Sequence, residues 1–197
     1  KMILSKEQID GLPSWVKDEI DTAVIVGRSK QVIQISGGRK YHLNNKLNHL
    51  SGAKWTYFIN SIINSRYPTS GPEAFAHSVR KIHPSPKPPQ LMRDIIEFFT
   101  KENEIIFDYF SGVGGTQLGA TLCGRRALGI DLDEKFHKAY KEASKELGLE
   151  PQTTITGDSI TLIEDGKQIE NYLNKEKFSL ILIDPPYGDM QSREKTG

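Results

Sequence analysis

The sequence predicts an α/β fold in the second half of the chain, a doubly wound and mostly parallel sheet, and three observations predict it. Short apolar runs recur at 105–107 (IIF), 127–130 (ALGI), 153–156 (TTIT) and 179–183 (SLILI), in the length range of buried strands. An acid closes each run, and these four, Asp108, Asp131, Asp158 and Asp184, stand 23, 27 and 26 residues apart. That spacing is what one strand, one helix and two short loops consume. Third, the intervening segments Thr116–Cys123, Glu134–Leu147 and Ile160–Leu173 are rich in helix formers, and Gly148 stands where a helix would stop. Strands alternating with helices pair in parallel, and such sheets bind ligands at the carboxyl ends of their strands. All four acids are therefore expected on one edge.

The elements before residue 105 are read less directly. A helix is expected from Lys6 to Ile20, an exposed strand over 31–36 (QVIQIS), and a helix from Leu91 to Thr100 after the proline-rich run HPSPKPP. At 197 residues the chain has room for one mid-sized domain and an appendage, here divided into a basic region over 1–80 and a sheet domain over 81–197. Mean hydropathy is -0.48. No apolar run approaches the roughly 20 residues of a membrane helix, and the first 26 residues are too charged for a secretory signal. Cys123 is the only cysteine, which excludes an internal disulfide, argues against a cysteine-based zinc site, and fits a reducing, cytoplasmic setting.

The net charge of +1 conceals a division. Residues 27–93 hold eleven Lys/Arg against the single acid Glu73, a net of +10, whereas residues 94–197 carry twelve basic and nineteen acidic residues, a net of -7. With Trp55, Tyr57, Phe58 and Tyr67 interleaved, the basic stretch points to a polyanion-binding surface.

The first apolar run leads into DYFSGVGGTQLGA, where Gly112, Gly114 and Gly115 permit a tight turn and close approach of a ligand to the backbone. An acid directly before the loop departs from the dinucleotide pattern and suits a ligand with a cationic ammonium end. Asp131 is placed to accept from ribose hydroxyls and Asp158 from an adenine amino group, although an acid at a strand end is also an ordinary helix N-cap. Together they point to a nucleoside–amino acid cofactor.

The combination of HPSPKPPQLM (83–92), DYFSGVGGT (108–116), GIDLD (129–133), GDS (157–159) and DPPYG (184–188) resembles the S-adenosylmethionine-dependent DNA amino-methyltransferases that act on adenine N6 or cytosine N4. Tyr109 replaces the proline usual in that family, with the acid and the aromatic on either side kept. The resemblance implies a Rossmann-like methyltransferase sheet, S-adenosyl-L-methionine as cofactor, double-stranded DNA as partner and no metal. It also implies that His83, Pro84, Asp108, Phe110, Ser111, Gly112, Gly114, Asp131, Leu132, Asp158 and Ser159 bind the cofactor. By the same resemblance Asp184 and the Pro185 carbonyl accept the two N–H bonds of the target amine, Pro186 stiffens the loop and Tyr187 stacks on a base flipped out of the duplex.

An acid at 184 is commoner in the adenine enzymes. A tRNA guanine-N2 methyltransferase, which should lack the His83 segment, and a non-catalytic nucleic-acid-binding subunit are the alternatives. Such sheets normally have seven strands, only four can be placed, and the chain opens on Lys1. A fragment, or one part of a split enzyme whose second polypeptide completes the sheet, is therefore expected.

Overall fold

The structure is a computed structural model that describes residues 4–62 and 66–186. It has two compact units, one of residues 1–65 with 97–102 and one of residues 66–96 with 103–197.

The first unit contains α1 (Lys6–Asp10), α2 (Ser14–Lys17), β1 (Val24–Val26), β2 (Val32–Gln34), β3 (Lys40–His42) and α3 (Gly52–Phe58). Ser5 and Gln8 cap α1 reciprocally. The single helix expected over Lys6–Ile20 is broken, because Gly11 ends α1 and Pro13, which has no N–H to give, starts α2. β2 is the middle strand of the antiparallel sheet β1-β2-β3, not an exposed one. Its period-2 alternation puts Ile33, followed by Ile35, into a core with Leu12, Val16, Ala23 and Tyr41. Residues 97–102 complete the unit: the Phe98 ring lies 5.1 Å from those of both Trp55 and Phe58, and buried Asn48 donates through Nδ2 to the Phe98 carbonyl at 2.7 Å.

The second unit contains α4 (His77–Arg80), α5 (Pro89–Phe99, whose last residues from Glu97 count with the first unit), β4 (Ile105–Asp108), α6 (Gly115–Leu122), β5 (Arg126–Asp131), α7 (Glu134–Glu146), β6 (Thr153–Thr156), α8 (Ser159–Asp165), α9 (Lys167–Leu173) and β7 (Phe178–Ile181). Every strand pairing is parallel, in the order β6-β5-β4-β7. The four apolar runs are these four strands. Alternate residues bury against opposite layers: Ile106 and Ala127 pack with Met92 and Ile96 of α5 and Ala120 of α6, while Phe107, Leu128 and Ile130 pack with Leu162 of α8 and Ile169 of α9. Helices on both faces make the sheet doubly wound and Rossmann-like. The helix expected over Ile160–Leu173 is two, because Gly166 at φ +69° ends α8 and opens α9.

The boundary expected after residue 80 falls at 65/66. The physical reason is Arg80, only 1% exposed, whose guanidinium donates to the Val113 carbonyl at 3.2 Å and to the Lys87 carbonyl. Burial pushes its pKa down to about 10. Arg80 belongs to the sheet domain's interior and is not available to a phosphate, whatever its place in a basic run suggests.

α6 approaches α5 closely at Gly119, where a Cβ would lie 2.7 Å from both Arg93 N and Met92 Cβ. Glycine to alanine in a helix ordinarily stabilises by about 1 kcal/mol. Here the sign should reverse: Gly119→Ala is expected to lower stability by about 1–3 kcal/mol through overpacking, read as a lower urea midpoint with an unchanged m-value.

Candidate functional site

β5 and β6 lie on one side of β4 and β7 on the other, so the order of the strands reverses between β4 and β7. The crevice at the carboxyl ends of two such strands is where open parallel sheets bind ligands. Register places the predicted acids along that edge. Asp108, the last residue of β4, is level with Gly129, and Asp131, the last of β5, is level with Thr156. β7 follows β4 as far as a bond from Leu182 N to the Phe107 carbonyl at 2.9 Å, two residues before Asp184.

Asp108 shares a sheet face with Ile106 and is fully buried. Its carboxylate is met on every side. Lys87 Nζ donates to Oδ2 at 2.9 Å, Thr116 Oγ1 donates to Oδ2 at 2.5 Å, and Phe110 N donates to Oδ1 at 3.0 Å. Lys87 also donates to the Phe110 carbonyl at 3.2 Å. The cation beside this acid is thus the protein's own lysine. Lys87 and Thr116 were not singled out from sequence, where the lysine reads as one residue of a proline-rich run.

Asp131 organises the glycine loop. Its Oδ2 accepts from Gly112 N at 2.8 Å and its Oδ1 from Asp133 N at 3.0 Å, which leaves each oxygen capacity for one more donor. Gly112 is at φ +50°, and a Cβ there would meet the His83 ring at 3.2 Å. Gly114, at φ +73°, opens α6, and a Cβ there would overlap the Tyr140 ring. The His83 imidazole therefore covers the loop, held edge-on to Phe136 with ring centres 4.8 Å apart and with its Nδ1 accepting from Ser85 N. Burial pushes its pKa below the usual histidine value. Pro84 beside it is exposed.

Other predicted residues take structural partners. Ser111 is buried, with its hydroxyl 3.2 Å from His137 Nε2, and His137 Nδ1 lies 2.9 Å from Thr156 Oγ1. That imidazole, absent from the sequence reading, ties the β4 loop to the end of β6. Asp158 is the N-cap of α8 and accepts from Thr161 N and Thr161 Oγ1 through Oδ1, with Ser159 next in the helix. Leu132 and Ile160, just past β5 and β6, are each 68% exposed. Phe110 is half-buried, with its ring 5.1 Å from that of Tyr109. Asp184, Pro185 and Pro186 are exposed beyond β7, and Tyr187 lies outside the described residues.

Residues 11–142 match the family described as DNA methylase (N6_N4_Mtase), a span that includes the glycine loop and ends before Asp184. A type II methyltransferase of Streptococcus pneumoniae, M2.DpnII, is 41% identical over 71 residues, 36% of this chain and 25% of that protein. YubD of Escherichia coli K12 is 41% identical over 66 residues, 34% of this chain and 29% of that protein. A tRNA (guanine(10)-N2)-dimethyltransferase of Methanocaldococcus jannaschii is 30% identical over 140 residues, 68% of this chain and 38% of that protein. The chain thus spans two-fifths or less of the length of these relatives.

Two outcomes test the site's wiring. Lys87→Met strands a buried carboxylate and should cost about 3–5 kcal/mol, largely relieved when Asp108 is replaced by Asn in the same chain; chemical denaturation of the three variants measures the coupling. His137 is held neutral, because burial pushes its imidazole below the ordinary 6.5. The unfolded chain then binds a proton that the folded one does not, so this contribution is complete above about pH 6.5 and is lost as the pH falls. The fall in melting temperature between about pH 7 and 5 should be shallower in His137→Gln than in the parent.

Proposed function

The chain belongs to the DNA methylase family, and from that premise we propose that it transfers a methyl group from S-adenosyl-L-methionine to an exocyclic amino nitrogen of a base in double-stranded DNA, adenine N6 first. The observation that carries this reading is the crevice between β4 and β7, with the glycine loop and its buried Asp108 after one strand and Asp184-Pro185-Pro186 after the other.

The residues along this edge fit such a cofactor. Asp131 keeps acceptor capacity for ribose hydroxyls beside the loop it shapes. Leu132 and Ile160 offer exposed apolar surface to a flat ring, and Asp158 Oδ2 stays available to an amino group while Oδ1 caps α8. Asp108 acts through the loop, by holding Lys87 and Phe110 N, with Ser111, Gly112 and Gly114 shaping the backbone and His83 and Pro84 covering it. When bound, the cofactor supplies a methyl group on a positively charged sulfur. Asp184 and the Pro185 carbonyl accept the two N–H bonds of the amine, which aims its lone pair, while Pro186 limits the loop's freedom and Tyr187 stacks on the base. This is catalysis by orientation and fixed dipoles. The base must leave the duplex to reach such a pocket, at an unstacking cost of a few kcal/mol.

Ile181, the last residue of β7, and Ile183 just beyond it are 57% and 38% exposed, which supports further polypeptide, of this or a second chain, covering that edge. A second reading, methylation of a guanine N2 in RNA, is favoured by the length of the alignment with the tRNA enzyme. Labelled methyl transfer to duplex DNA and to tRNA transcripts, followed by nucleoside analysis, separates the two. Product only in transcripts would overturn the DNA reading.

Asp184→Ala should abolish transfer with cofactor affinity nearly intact, and activity within tenfold of the parent would remove Asp184 from the chemistry. Asp131→Ala should do the reverse, weakening cofactor binding by about 1.5–3 kcal/mol for a lost charge-assisted hydrogen bond, as read by calorimetric titration.

A further inference from the structure

An open cavity of about 590 Å³ lies in the first unit, between β2, β3 and the segment that leads into α3. Its size is in the range of small-ligand sites. Its wall is apolar, with the Trp55 indole, Leu47 and Leu50, and with buried Tyr41 among them. Burial pushes the Tyr41 phenol up to about 12, so that ring is uncharged at neutral pH.

The charged groups of the cavity are of one sign. Lys40 and Lys46 line it with His42, Asn44 and Asn45, and residues 27–65 contain six Lys/Arg and no acid. Arg39 and Lys54 in the same stretch are paired, with Glu19 and Glu97. Lys40 and Lys46 have no carboxylate partner among the described residues. His42 Nδ1 accepts from Asn44 N, so the neutral ring carries its proton on Nε2 as a donor. The exposed Asn44 side chain adds an amide with donor and acceptor ends.

An apolar ligand would leave two unpaired lysines unused, and a bare phosphate would leave the indole and leucine wall unused. One ligand class uses both: a nucleotide within a strand, which has a flat, stackable base with polar edges and a phosphate on either side. We infer that this cavity holds one unstacked base of a nucleic-acid strand, with Trp55 offering ring surface and Lys40 and Lys46 meeting the flanking phosphates. It is a base site separate from the methyl-transfer crevice, since every lining residue is in the first unit. The inference rests on the nucleic-acid reading above.

The test uses this chain, a labelled twelve-residue oligothymidylate and an abasic strand of equal length, with binding followed by anisotropy across a salt series. Stacking of a base on an aromatic side chain is worth about tenfold or more in affinity, so the abasic strand should bind the parent at least about tenfold more weakly. Lys40→Ala with Lys46→Ala, both surface changes, should reduce the slope of log affinity against log salt by about 1.4, or about 0.7 per single-strand phosphate, with cofactor binding and melting temperature unchanged. Equal binding of the abasic strand overturns the base site, and an unchanged slope overturns the phosphate contacts. A parent that methylates nucleic acid but shows either result loses only this inference, whereas a parent that neither binds nor methylates nucleic acid loses the functional reading with it.

Discussion

The carboxylate of Asp108 sits where a parallel sheet least tolerates a charge, inside the end of a strand with neighbours on both sides, and the surrounding structure is arranged around that fact. A buried charge must be paired and fully hydrogen-bonded to persist. The ammonium comes from Lys87, the hydroxyl from Thr116 of α6, and the third donor from the backbone of the loop itself. Meeting this demand brings the proline-rich segment onto the glycine loop, and Arg80 then bonds the Lys87 carbonyl from behind. Gly115 has no side chain for the same reason: a Cβ there would come within 2.6 Å of Lys87 Cβ and its carbonyl oxygen. One ionic contact thus ties α4, the proline run, β4 and α6 into a single body.

The sheet was legible in the sequence because its signal is local and redundant. Each strand is a compact apolar run bounded by an acid, and each is found within a residue or two of its expected place. The acids that close these strands were legible for the same reason. Breaks inside helices were read less well: Gly11 with Pro13, and Gly166, each divide a stretch of good helix formers, and propensity summed over the stretch outweighs one residue in such a reading. Partners distant in sequence were not legible. Nothing near Arg80 marks it as buried, and nothing near His137 announces hydroxyls at Ser111 and Thr156. A basic run likewise cannot show which of its members are already paired, and the structure divides Arg39 and Lys54 from Lys40 and Lys46 on that point.

Asp131 and Asp158 brace and cap the backbone at the ends of β5 and β6 without using all of their acceptor capacity. A strand-end acid therefore reads equally as a cap and as a ligand residue from sequence, and the cap is the part that these bonds show.

Strand order also sets a folding schedule. β4 can close on β5 through one short helix, but its other edge waits for β7, some seventy residues later, where Phe107 finally stacks on Phe178 with ring centres 4.5 Å apart and planes 8° from parallel. Closing so long a loop costs entropy before any contact is made. During synthesis the outer edge of β4, with its unpaired backbone N–H and C=O groups, therefore stays open while β5, α7, β6, α8 and α9 emerge. The segment that carries Asp184 follows β7, so the glycine loop after β4 emerges about seventy residues before it and can take up its bonds to Asp131 first.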